Sequence, residues 1–173
     1  MSHLNKRAKP TFIGFTEADE KTTVKIMQGF EDAITMVQAI LSTAGTAKFN
    51  TIFPHYFSPT TVIPVSLGLV RKVFTEMDDA NRDGRIGQIS VNKEDFGKRC
   101  RAKDSKATGV TMAYIQSMNG MPTMHFCDEG VELPAFGSLS CATVGPAVGK
   151  TMSSLASVII YEWTQVASSI TGF

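Results

Sequence analysis

The sequence predicts an α+β fold, with amphipathic helices against a small antiparallel sheet. Three observations carry this. Apolar residues recur at helical spacing from Ile26 to Leu41 and again from Met152 to Val166. Two β-prone runs, VTMAYIQS and TMHFCDE, flank Asn119-Gly120, which suits a tight loop. An apolar content of 43% over 173 residues suffices for one core, and no repeat or linker divides the chain.

In chain order, the polar and basic residues 1–12 predict a flexible N-terminal tail, and 13–173 a single domain. Thr16-Glu17-Ala18-Asp19 reads as a helix start, a cap with an acid three residues on. Ile26, Phe30, Ala33, Ile34, Val37, Ile40 and Leu41 then form one stripe, ending near Gly45. The segment FNTIFPHYFSPTT, with two prolines, predicts a short helical turn or a packed irregular connection. A second helix starts near Pro64, with Leu67, Val70, Val73, Phe74 and Met77 inward. A turn at Asp83-Gly84 leads to Ile86, Ile89 and Val91 as strand candidates. The last helix, from about Lys150 to Ile170, places Met152, Leu155, Ile159, Trp163 and Val166 on one face.

Charge narrows the function classes. A formal net charge of +1 gives no basic footprint, and aromatics do not interleave with Lys/Arg runs, which argues against nucleic-acid binding. No apolar run is long enough to span a bilayer. The start MSHLNKRAKPTF has no apolar signal region, so the chain is cytosolic or has lost a leader. Three cysteines, Cys100, Cys127 and Cys141, allow one disulfide with one thiol, or three thiols. No C-x-x-C pair is present, which argues against a zinc knuckle or a thioredoxin-like site.

The stretch SVIIYEWTQ holds the chemistry of interest. Its frame is that of H-E-x-x-H, in which two imidazoles one turn apart grip zinc and the glutamate polarises the attacking water. Here the histidine positions are Tyr161 and Gln165, and the glutamate position is Glu162. Positions 161 and 165 lie within about 40° on a helix and face away from its apolar stripe, on the side of Ser154, Ser157 and Ser168. A phenol and a neutral amide are poor zinc donors at neutral pH. An ordinary amphipathic helix with one exposed tyrosine also fits this window.

The wider pattern, over roughly residues 12–172, resembles the deuterolysin and lysine-specific metalloendopeptidase group of fungal zinc peptidases, the aspzincins. HYFSPTTVIPVSLGLVRKVFTEM resembles that family's Tyr-Phe segment and following helix. CRAKDSKATGVTMAYIQSMNGMPTMHFCDEGVELP resembles its cysteine, Ala-Tyr strand, apolar-His-apolar-Cys strand and Leu-Pro run, and MSSLASVIIYEWTQ its Leu-Ile-His-Glu-x-Thr-His helix. The resemblance implies a zincin-like fold with a C-terminal former active-site helix, a Cys100–Cys127 disulfide and a secreted protein. It also carries the general-base role onto Glu162. The departures are as informative. Neither helix histidine is present, and Ser169 to Phe173 contain no counterpart of the family's third ligand, an aspartate in Gly-Thr-x-Asp. Zinc is therefore expected to be lost. Cys141 sits where the family pairs a cysteine with its C-terminal end, so it is expected to be free.

Other constellations rank below this one. Asp79, Asn81, Asp83 and Gly84 match positions one, three, five and six of a calcium loop, with Ile86 at eight, but Ser90 stands at twelve in place of a bidentate glutamate. A turn rich in Asx residues explains the same run. His125 could join Asp128 and Glu129 at a metal, although a lone strand histidine is more often packed, and His55 is less informative still. Gly149-Lys150-Thr151 opens a helix, but only three residues separate Gly145 from Gly149, so the P-loop spacing fails.

The expected function is a catalytically inactive relative of a zinc metalloendopeptidase that acts as a binding or defence-type protein, with a protein or glycan partner. Its cleft would present Tyr161, Glu162 and Gln165, with Trp163 in the core. One alternative is an enzyme with another metal arrangement, or metal-free acid/base chemistry at Glu162. Another is a calcium-tuned interaction module on Asp79, Asn81 and Asp83.

Overall fold

A computed structural model of the chain describes residues 9–44, 46, 47, 49, 67–82, 88–100, 110–140 and 153–171. Among the described residues the fold is α+β, with four α-helices and a small sheet. The strands are β1 (Thr11–Ile13), β2 (Ser90–Asn92), β3 (Ala113–Met118) and β4 (Met121–Phe126). The helices are α1 (Glu20–Thr43), α2 (Leu67–Arg82), α3 (Asp128–Glu132) and α4 (Leu155–Thr171).

The Thr16–Asp19 signal folds as expected. The Thr16 amide donates to the Asp19 carboxylate at 2.9 Å, and a 3₁₀ turn at Glu17–Asp19 leads into α1. Lys93 joins Asp19 at 2.8 Å, and its ammonium, with the Thr16 donors, holds that carboxyl at about 2. This pins the helix start to the end of β2. Along α1 the predicted stripe is buried from Ile26 to Val37, while Ile40 and Leu41 are half-buried. Gly29 lies within the stripe, where Leu155 and Ile159 of α4 approach so closely that a Cβ would meet the Leu155 side chain at 2.8 Å.

Asn119 and Gly120 both adopt positive φ, +52° and +78°, which closes the β3–β4 hairpin as a two-residue turn. The register pairs Tyr114 with His125 and Ile115 with Met124. Strand order is β1-β2-β4-β3. The sheet is mixed, not antiparallel as the sequence suggested: β1–β2 and β2–β4 are parallel, and only β3–β4 is antiparallel. The reason is connectivity. α1 and α2 lie between β1 and β2 in sequence, and such a long crossover returns the chain in the same direction. Two further expectations shift. Thr11 and Phe12 belong to β1, not to a flexible tail, because the Thr11 amide donates to the Ile89 carbonyl at 3.0 Å and Ile13 accepts from Lys93. Asp128 and Glu129 open α3 and do not continue the strand.

The core lies between one face of the sheet and the helices. Val91, Ala113, Met124 and Phe126 meet Ile26, Phe30, Ile34, Met77, Leu155, Ile159 and Trp163. β4 is buried on both faces from Thr123 to Phe126, so its alternate residues Thr123 and His125 lie under a second cover. Pro64, His55, Ile86, Cys141, Lys150 and Met152 fall outside the described residues.

Candidate functional site

α4 is held at its start by a reciprocal pair. The Ser157 amide donates to Ser154 Oγ at 3.2 Å, and the Ser154 amide to Ser157 Oγ at 3.0 Å. Ser154 is therefore a buried cap rather than part of an exposed serine face. Of the expected apolar stripe, Leu155, Ile159 and Trp163 are buried, with the Trp163 ring 6.4 Å from that of Phe30, while Met152 and the Val166 side chain lie outside the described residues. Positions 161 and 165 face outward, with Tyr161 64% exposed and Gln165 exposed one turn on.

Glu162 is different. It lies against β3 near the Ile115 amide and is only 9% exposed. Burial raises its pKa above the usual carboxyl value, and the Ile115 amide and the Arg99 guanidinium oppose that rise. Glu162 and Tyr161 line a cleft of about 360 Å³ together with Val110, Thr111, Met112, Ala113, Ser157 and Val158. The structure thus brings Tyr161 and Glu162 together at one cleft, with Gln165 on the adjoining surface. Among the described residues its walls offer one carboxylate and no histidine or thiol. A phenol, an amide and this carboxylate do not fit zinc.

The calcium reading finds Asp79 and Asn81 on α2, whose helical backbone runs on to Arg82. The loop register needs the chain to have turned around the ion over these positions. Asp83 lies outside the described residues. The neighbouring Asp78 is buried and accepts from Gln38 Nε2 at 2.8 Å, linking α2 to α1.

A second polar group lies on the far face of the hairpin, and only parts of it were visible in the sequence. Cys100 and Cys127 form a disulfide that ties the 93–100 segment to the end of β4. The Tyr114 hydroxyl donates to Asp95 Oδ1 at 2.6 Å and accepts from the Gly97 amide at 2.9 Å. Burial opposes ionisation of Asp95, but the Tyr114 hydroxyl and the amides of Arg99 and Cys100 outweigh it and hold the carboxyl low. Tyr114 is pushed the other way, by burial and then by its bond to Asp95. Arg99 stacks over the Tyr114 ring at 5.4 Å. His125 is buried beside Tyr114, ring to ring 5.3 Å, with Nδ1 2.9 Å from the Asn92 carbonyl. A cavity of about 740 Å³ borders this group and also touches Asp128 and Glu129. Asp95 and Asn92 carried no signal in the sequence, because their roles exist only once 93–100 folds over the hairpin.

No helix among the described residues is long and apolar enough to cross a membrane. No family model, characterised protein or solved structure matches the chain.

Proposed function

We propose that this chain is a zincin-like, aspzincin-related domain that has left zinc chemistry behind and uses the α4–β3 cleft to hold a segment of a partner protein. The observation that carries the reading is the cleft itself. Glu162 sits at the position of the resembling family's general base and lies under apolar walls from Val110, Met112, Ala113 and Val158, with Tyr161 exposed at its rim. A buried carboxyl among apolar walls suits recognition of a donor group on an apolar segment. With Tyr161 and Gln165 at the former ligand positions, Glu162 has no Lewis acid beside it to ready a water. The family resemblance brings a secreted setting, which the Cys100–Cys127 disulfide supports.

The test pairs binding with catalysis. The protein, loaded with zinc or treated with chelator, is incubated with an unfolded protein substrate, and retained peptides and cleavage products are measured. Retention without cleavage, lost in Tyr161→Ala at unchanged thermal stability, is expected. Zinc-dependent cleavage that disappears in Glu162→Gln would instead make the chain an enzyme.

A further inference from the structure

We propose that Cys100, Cys127 and His125 form a redox-gated site for a thiophilic divalent cation of the zinc class, closed while the disulfide stands and opened by its reduction. One donor atom from each of the three residues lies within 4.8 Å of the others. Two thiolates and an imidazole are a donor set that zinc favours, and this set comes from two chain segments already held together. The histidine is also prepared. A carbonyl only accepts, so the bond between Nδ1 and the Asn92 carbonyl puts the ring hydrogen on Nδ1. The neutral ring then carries its lone pair on Nε2, the arrangement in which a second-shell carbonyl fixes a metal-binding tautomer.

Burial and access fit as well. His125 is 7% exposed and Cys127 2%, so both donors are rigidly held, while Cys100 is half-buried and lines the 740 Å³ cavity. The fourth position faces the cavity, where water would fill it.

The gate is chemical. In the disulfide neither sulfur is a thiolate. A dithiol reductant supplies two electrons, the S–S bond breaks, two protons are taken up and the reductant leaves as its own disulfide. The cation then displaces the two thiol protons to solvent as two sulfur–metal bonds form. Metal–sulfur bonds of about 2.3 Å at tetrahedral angles set the sulfurs roughly 3.8 Å apart. Rotation of the Cys100 side chain, at the end of the 93–100 segment, supplies that separation. The metal thus staples the same two segments that the disulfide joins, and the fold keeps a cross-link in oxidising and reducing surroundings alike. This site is separate from the α4–β3 cleft and does not depend on how that cleft is used.

The test uses the full chain carrying Cys141→Ser, so that the third thiol cannot contribute. The protein is reduced with a phosphine, freed of metal and titrated with cobalt(II), then with zinc in competition. Thiolate-to-cobalt charge-transfer absorption that saturates at one ion per chain is expected, with none in the disulfide form. His125→Ala should weaken binding by more than ~10-fold. Equal metal uptake by the reduced and disulfide forms, or unchanged affinity in folded His125→Ala, would overturn the proposal. Should that variant not fold, alkylation of the reduced parent decides. Protection of Cys100 and Cys127 by zinc is expected, and equal labelling with and without zinc contradicts it.

Discussion

Glu162 is a carboxyl group held against β3 with little water around it, and its protonation is therefore coupled to folding. Its pKa is raised by burial, so the folded state holds the proton more tightly than the unfolded chain does. The favourable contribution of the protonated form is fully present below about 4.5, its ordinary value, and is lost as pH rises through the raised value. Glu162→Gln keeps an acceptor for the Ile115 amide without the charge. The variant should be more stable than the parent at neutral pH, and the gain should vanish below the ordinary carboxyl value, as read by urea unfolding at a series of pH values. Asp95 has the opposite sign. Its folded pKa is lowered, so its contribution is present above 3.8 and is lost as pH falls through the lower folded value. Hydrogen bonds to a charged group are worth about 1.5–3 kcal/mol, so Asp95→Ala should lose on the order of 2 kcal/mol at pH 7 and much less in strong acid. Glu162 was legible in the sequence because its neighbours match a known frame. Asp95 was not, since its partners Tyr114, Arg99 and Cys100 are gathered only by tertiary structure.

Helix and strand packing is set by two glycines that make room for other elements. At Gly29 a Cβ would meet the buried Leu155 side chain at 2.8 Å, which keeps α1 and α4 close. At Gly130 it would meet the Met112 carbonyl oxygen at 2.0 Å, where backbone cannot swing aside. Overpacking costs about 1–3 kcal/mol, and alanine recovers about 1 kcal/mol of helix propensity, so Gly29→Ala should lose a modest net amount. Gly130→Ala should lose more than Gly29→Ala, and denaturant midpoints of the two variants check the order. The elements themselves differ in how far they can be read. α1 announces itself over about four turns of periodicity from Ile26 to Leu41, and Asn119-Gly120 fixes the hairpin locally. β1 and β2 have three residues each, too few for a period to show, and their parallel pairing joins Thr11 to Ser90 across two helices. Periodicity therefore does not reveal the sheet's mixed character.

At the scale of the whole molecule, the Cys100–Cys127 bond spans 27 residues and anchors the cover of the sheet's second face. Its removal by Cys100→Ser should lower stability by about 3–4 kcal/mol, measured by unfolding without added metal. The two sides of the hairpin then carry different roles. One presents the Glu162 cleft against α4, and the other holds the disulfide with His125 beneath the 93–100 segment. Tyr161, Glu162 and Gln165 could be placed together from sequence because they sit on one helix, whereas the Val110–Ala113 wall opposite Glu162 could not. The cluster beside His125 could not, because neighbouring cysteines and a histidine reveal a shared site only when a hairpin and a loop bring them together. On the proposed reading the α4–β3 cleft carries no zinc chemistry. The most direct measurement is elemental analysis of the disulfide-bonded protein after equilibration with zinc and exhaustive dialysis. Zinc far below one ion per chain is expected. Zinc at one ion per chain with the disulfide intact would contradict that reading.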